Sequence, residues 1–263
     1  MSLMSLMSLN PRIAGWNGRR VWLIGASTGI GAATARLLLA SGAKVALTAR
    51  KDAALREVAA GHADALVLPA DATRDADLRA AAVRIEAAWG GVDLMVYLAG
   101  TYAPMRAPSI DLGRVRQTFD INVIGCYAAL AAVLPGMLAR GTGAVAIVSS
   151  VAGYRGLPNA LAYGPTKAAL INLAEALYLD LAPKGIGVHL VDPGFVDTPL
   201  TEQNKFSMPA LMSADAAANQ LLRGLARGEF ESHFPKRFTR WLKLLRLLPY
   251  PLYFAAVRRF TGL

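Results

Sequence analysis

Strand-length apolar runs recur along this chain, each separated from the next by a stretch with helical spacing. The runs are RRVWLIGA (19–26), KVALTAR (44–50), ALVLPAD (65–71), VDLMVYLAG (92–100), GAVAIVSS (143–150) and IGVHLVDPG (186–194). They are apolar throughout rather than alternating, as strands buried on both faces are. Helical patterns fill 27–42, 52–60, 75–90, roughly 110–139 and 160–182, and several end at glycine, a helix-stop signal. Strand and helix in alternation, with right-handed crossovers, predict a doubly wound α/β fold. The expected architecture is a Rossmann-like parallel sheet of about seven strands, with FESHF (230–234) as the last.

The 263 residues suffice for one large core, and no linker divides them, so residues 19–235 read as a single domain. The triplet-repeat start, MSLMSLMSLN, has no cationic region and no long apolar stretch of a leader. Residues 1–18 are therefore expected to be an extension, disordered or in part a cloning remnant, outside the fold. No uninterrupted apolar run reaches the roughly 18 residues of a spanning helix. The lone Cys126 excludes an internal disulfide and suits a reducing cytoplasm. His62, His189 and His233 lie far apart, so no metal site is expected.

Between the first strand and the first helix stands Gly25-Ala-Ser27-Thr28-Gly29-Ile30-Gly31. Glycines let a backbone approach a ligand closely, and a helix N-terminus offers free N–H groups and a positive dipole end to a pyrophosphate. The place, first in a doubly wound sheet, is that of a dinucleotide. At the end of the second strand, Leu47–Lys51 carries no acid for a ribose 2′-hydroxyl. Arg50 and Lys51 stand there instead, and Arg50 suits a 2′-phosphate. NADP(H) is therefore expected over NAD(H).

In NALAYGPTKAAL (159–170), Tyr163 and Lys167 are one helical turn apart and share a face. A phenol with its ordinary pKa near 10 is a poor base at neutral pH, and a neighbouring ammonium is expected to lower it. That pairing predicts a general acid for carbonyl reduction and base for alcohol oxidation. Ser150, at the end of the fifth strand, is placed to hydrogen-bond a substrate oxygen as charge develops.

Taken in order, these segments resemble the short-chain dehydrogenases/reductases, over roughly Arg19 to Thr198. GASTGIG resembles the family's glycine motif, and SSVAG (149–153), YGPTK (163–167) and PGFVDT (193–198) its serine, tyrosine–lysine and P-G motifs. Ser150 lies thirteen residues before Tyr163, as the family has it. The resemblance implies a catalytic set of Ser150, Tyr163, Lys167 and Asn122, the last from NVIG (122–125), holding a proton-relay water. It implies that Lys167 holds the nicotinamide ribose and Asp71, followed by Ala72, the adenine amino group. It implies cofactor contacts at Ala99, Gly100, Pro193, Gly194, Val196 and Thr198. Tyr97 and Leu98 stand where the family has paired asparagines, which puts strand bracing in question.

The segment after the P-G motif folds over substrate in that family. Phe195, Leu200, Phe206 and Met208 lie in it, and Tyr102, Met105, Tyr154 and Leu157 are expected on facing loops. An apolar, aromatic, Met-containing lining suits a hydrophobic ketone or secondary alcohol of lipid-like, steroid-like or 3-oxoacyl type. The alternatives are a nucleotide-binding sensor without turnover and a membrane-associated scaffold of the same fold. A homodimer or homotetramer is expected.

The net charge is +10, and from Ser232 onward the chain has basic residues and no acidic ones. Residues 236–263 read as a basic amphipathic helical tail, broken at Pro249 and Pro251. Such a tail fits peripheral contact with the inner face of a membrane, a partner subunit or its own core. Its basic residues are interleaved with aliphatics, so no nucleic-acid partner is expected.

Overall fold

The computed structural model describes residues 8–203 and 208–262. Seven parallel strands form one sheet in the order β3-β2-β1-β4-β5-β6-β9. They are β1 (Arg20–Ile24), β2 (Lys44–Thr48), β3 (Ala65–Val67), β4 (Leu94–Tyr97), β5 (Gly143–Val148), β6 (Ile186–Pro193) and β9 (Glu231–Phe234). A small pair, β7 (Val196–Asp197) and β8 (Met212–Ser213), ties down the segment after the P-G turn. Helices cover both faces: α1 (Gly29–Ala40), α2 (Asp52–Ala59), α3 (Asp75–Trp89), α4 (Leu112–Phe119), α5 (Gly125–Arg140), α6 (Tyr163–Leu181) and α7 (Ala214–Arg227). Two more, α8 (Lys236–Arg246) and α9 (Tyr250–Thr261), form the tail.

Strand side chains alternate between two cores. Trp22, Ile24, Met95, Tyr97, Val145 and Ile147 face one of them, toward α3, α5 and α6. Val21, Leu23, Val45, Leu47, Leu94 and Val96 face the other, toward α1, α2 and α7. The strands are apolar throughout because neither face meets water, and each fully buried aliphatic side chain contributes about 1.5–3 kcal/mol.

The stretch expected as one helix over 110–139 is two, joined by a π-turn at Asp120–Ile124. The whole of 112–140 is long and apolar enough by composition to cross a bilayer, but it packs as a layer helix on α3 and the sheet. A π-turn shifts the backbone hydrogen bonds by one residue and leaves a carbonyl to be satisfied elsewhere. The Tyr97 hydroxyl donates to the Ile121 carbonyl at 2.5 Å. Tyr97 therefore braces the strand to the helix. Gly125 makes room for it, since a Cβ there would lie 2.3 Å from the tyrosine oxygen.

The first residues need correction. The segment 1–18 was expected outside the fold, but it is anchored to it by two buried residues, Asn10 and Ile13, while residues 1–7 lie outside the described residues. Asn10 is buried, its amide donating to the Val188 carbonyl at 2.6 Å and accepting from the Val188 N–H at 2.9 Å. An asparagine side chain presents the same donor and acceptor as a peptide group. It completes the β6 ladder at Val188, before β9 pairing begins at Leu190. Ile13 is buried beside it in the α1–α7 layer.

Candidate active site

The carboxyl ends of β1, β2, β4, β5 and β6 border a cleft of about 450 Å³. It lies at β1, where the chain runs outward through β2 and β3 on one side and then crosses to β4 on the other, the reversal of strand order at which open α/β sheets bind ligands. Gly25, Ser27, Thr28, Gly29, Ile30, Gly31, Arg50, Asp71, Ala72, Ala99, Gly100, Pro193, Gly194, Val196 and Thr198 all line it, with Ser150, Tyr163 and Lys167.

The glycines are required by close packing. Gly25 has φ +97°, and a Cβ on it would lie 2.5 Å from the Ala99 nitrogen. A Cβ on Gly31 would lie 2.1 Å from the Gly25 carbonyl oxygen. Gly29, φ +54°, opens α1 against Thr198, whose Cγ2 a Cβ would meet at 2.8 Å. The Thr28 side chain makes no capping hydrogen bond and the first turn of α1 holds no acid. The first-turn N–H groups and the positive dipole end are left for an anion, so these residues fit a pyrophosphate. Arg50 is exposed at the cleft edge with Lys51, and its charge helps hold the Asp71 carboxyl below the usual range. The larger cause at Asp71 is the Thr73 N–H, which donates to it at 2.9 Å.

Two contacts bring Ser150 and Tyr163 together. Gly153, just after the serine, sits against the backbone of α6, where a Cβ would come 2.6 Å from the Lys167 carbonyl carbon. Ser149 donates to the Lys167 carbonyl at 2.7 Å. The Ser150 hydroxyl accepts from the Ala152 N–H at 3.2 Å. Lys167 is buried; its Nζ donates to the Val148 carbonyl at 3.0 Å and lies 5.5 Å from the centre of the Tyr163 ring.

The expected lowering of the Tyr163 phenol by Lys167 is not what the structure gives. Burial pushes it up to about 12; a Ser150 hydrogen bond opposes the rise, and Tyr102 and Asp192 add to it. Burial also brings Lys167 down to about 8, against the upward pull of Cys126 and Asp192. Desolvation is the largest cause of the shift at both residues.

Asn122 is buried on the π-turn and does not line the cleft wall. Its amide donates to the Thr101 carbonyl (3.1 Å) and the Thr166 hydroxyl (3.0 Å), while its oxygen accepts from the Thr101 N–H (2.8 Å). The side chain joins the β4 loop to α6 at a point beside Lys167: a Cβ on Gly100 would lie 3.6 Å from Asn122 Oδ1 and 3.7 Å from Lys167 Nζ.

The expected substrate lining separates. Leu200 lines the cleft, and the Tyr102 ring stands edge-on to Tyr163 at 5.1 Å. Tyr154 turns the other way: it is buried, and its hydroxyl donates to Glu231 at 2.8 Å. Met105 is buried beside Ala160 in a bridge between loops. Phe195 packs on Phe238 of α8, with ring centres 5.5 Å apart. Leu157 and Met208 are half-buried away from the cleft wall, and Phe206 lies outside the described residues. A run of apolar loop residues does not reveal which of them turn inward. Thr101, Gln117, Ile121, Ser149 and Thr201 line the cleft without having been singled out. For Thr201 a signal existed in the D-T-P-L-T turn: its hydroxyl donates to the Val196 carbonyl at 2.6 Å and shapes the loop carrying Thr198.

The comparisons with known proteins agree with this geometry. The family model described as short chain dehydrogenase matches residues 19–208. A protein of Myxococcus xanthus named an uncharacterized oxidoreductase is 37% identical over 246 residues, 92% of this chain and 97% of that protein. A cis-4-hydroxycyclohexanecarboxylate dehydrogenase of Sinomonas cyclohexanicum is 36% identical over 78% of this chain and 82% of its own. Among solved structures, a 3-ketoacyl-(acyl-carrier-protein) reductase of Brucella melitensis, complexed with NADH, superposes with a TM-score of 0.77 at 25% identity, covering 84% of this chain and 98% of that one.

Proposed function

The chain belongs to the short-chain dehydrogenase family and is an oxidoreductase acting on alcohol and carbonyl groups; from that premise we propose an NADP(H)-dependent enzyme for a hydrophobic ketone or secondary alcohol. The observation that carries this reading is the meeting of Ser150, Tyr163 and Lys167 at the end of the cleft whose other end is the α1 cradle and Arg50. A nicotinamide bound there supplies the hydride. The Ser150 hydroxyl donates to the substrate oxygen as negative charge grows on it. Tyr163, whose raised pKa keeps its proton at neutral pH, gives that proton to the same oxygen. Lys167 holds positive charge beside the phenol and the ribose site. Asn122 keeps Thr101 and α6 in register with that lysine.

Arg50 with Lys51, and the lack of a carboxylate at the end of β2, favour a 2′-phosphate over a bare 2′-hydroxyl. Leu200, Ile121 and the Tyr102 edge favour an apolar substituent on the carbonyl. The same reading has the enzyme act as a homodimer or homotetramer in the cytoplasm, with its tail, 236–263, in peripheral contact with the inner face of a membrane. The test is a panel of ketones and alcohols of graded chain length with NADPH and NADH, followed by nicotinamide absorbance. NADPH with the more apolar carbonyls is expected to give the highest kcat/KM; turnover confined to small polar sugars with NADH would overturn the proposal.

A further inference from the structure

The tail is fixed to the domain by its inner faces. On α8, Thr239 is fully buried, hydrogen-bonded to the Pro235 carbonyl and to His233 Nδ1, and Lys243 pairs with Glu231. Leu242 and Phe238 pack on the core. On α9, Tyr253 is buried and donates to the Gly156 carbonyl at 2.7 Å. Arg155 closes the corner: it donates to the carbonyls of Leu245, Arg246 and Leu248 and lies over the rings of Tyr250 and Tyr253. The tail's orientation is therefore set, and what its outer face shows to solvent is a property of the fold.

That face is apolar and cationic together. Trp241, Leu244, Leu247, Leu252, Phe254 and Phe260 are exposed, Leu247 by 79% and Phe260 by 78%. Arg237, Arg240, Arg246, Arg258 and Arg259 accompany them, with no acid from Ser232 to the end of the chain. Contiguous exposed apolar surface of this kind marks an interaction site. A second copy docked by twofold symmetry would lay this cationic stripe on itself. A bilayer of anionic headgroups complements it, with aromatic rings at headgroup level and arginine stems reaching outward.

A groove opens on the same face, lined by Ala210, Arg237, Phe238, Arg240, Trp241 and Leu244, and its surface is almost wholly apolar. Its Phe238 wall abuts the cleft: a Cβ on Gly194 would lie 3.0 Å from that ring, and Gly194 lines the cleft. We propose that the outer face of α8 and α9 docks on the surface of an anionic bilayer, and that the groove between Ala210 and α8 leads an apolar substrate from that bilayer toward the cleft. The docking stands on the tail's own geometry and sharpens the membrane contact proposed above; the route rests on the hydrophobic-carbonyl reading.

Flotation of the full chain with vesicles tests the docking without reference to turnover. On vesicles of phosphatidylglycerol mixed with phosphatidylcholine at low salt the protein is expected to float. On pure phosphatidylcholine, or at high salt, the bound fraction is expected to fall by more than about tenfold, given roughly 1 kcal/mol per basic residue near an anionic surface. The variant Leu247→Glu/Phe254→Glu/Phe260→Glu, with all three changes on exposed positions outside the groove and cleft, should lose flotation yet keep turnover of a short water-soluble ketone. Failure to bind anionic vesicles at low salt, or flotation unchanged in the variant, overturns the docking. So does a wild-type dimer that sediments as a monomer in the variant, since the face would then be covered by a second copy. If docking holds while long-chain carbonyls are turned over no faster with vesicles than without, only the route is wrong.

Discussion

Asp192 is fully buried on β6, in reach of charges from three elements: Glu231 on β9, Lys243 on α8 and Lys167 on α6. Burial first, then Glu231, holds its carboxyl well above the usual range; the two lysines act in the opposite sense. Glu231, held by Lys243 and Tyr154, is lowered and takes the negative charge. A carboxyl raised on folding stabilises at low pH, and that contribution is lost as pH rises through its folded value. Asp192→Asn removes the titration. Its melting temperature is expected to gain on the wild type's as pH rises above the ordinary carboxylate value of about 4; thermal scans showing a constant or shrinking difference would refute this. In the sequence Asp192 stands simply before Pro193-Gly194. Burial of that kind is invisible without the packing of α8. At the other end of the cleft, Arg50→Asp is expected to lower the NADPH/NADH ratio of kcat/KM by at least about tenfold, because a charge-assisted contact worth about 1.5–3 kcal/mol becomes a repulsion. An unmoved ratio would place the 2′-phosphate elsewhere.

At the scale of elements, the periodicity of 110–139 announced helix and gave no sign of the π-turn inside it. The turn depends on a partner from another element, the Tyr97 hydroxyl on β4, and on Gly125 leaving space. Tyr97 was visible in the sequence only as a departure from the family's asparagine. Tyr97→Phe would leave the Ile121 carbonyl without its donor and is expected to cost about 1–3 kcal/mol in urea unfolding. It should also lower kcat and raise KM together, because the π-turn carries both Asn122 and Ile121, which lines the cleft. A variant with wild-type stability would show that the carbonyl is satisfied some other way. The glycine turn was easier to read. Gly31 is required by a contact within one strand-turn-helix unit, the Gly25 carbonyl, so local spacing carries the information there, whereas Gly25 and Gly29 are pressed by Ala99 and Thr198 from the segments after β4 and β6.

Across the whole molecule, the order of strands and helices was legible because a buried parallel sheet writes itself as uniform apolar runs. The packed segment from residue 8 was not, since its hold on β6 is one asparagine side chain standing in for a peptide. The tail's amphipathic pattern was clear, and its orientation had to come from Arg155 and Gly156, residues far away in the chain, together with Glu231 on β9. The meeting of Ser150, Tyr163 and Lys167, the proposed catalytic set, at one cleft was legible by motif, while the direction of the Tyr163 shift was not: pairing with Lys167 suggested a lowered value, and burial raised it to about 12. A phenol at about 12 stays protonated across neutrality, so alcohol oxidation, which needs the phenolate, is expected to quicken steadily with pH while carbonyl reduction stays flat across neutrality. The most direct test of the account is Tyr163→Phe, which removes the transferable proton and little else. Single-turnover carbonyl reduction should fall by more than about a hundredfold, with NADPH affinity, read by fluorescence titration, within about threefold of wild type. A variant that keeps more than about a tenth of the rate, a barrier change under about 1.4 kcal/mol, would contradict the assignment of Tyr163 as the proton donor.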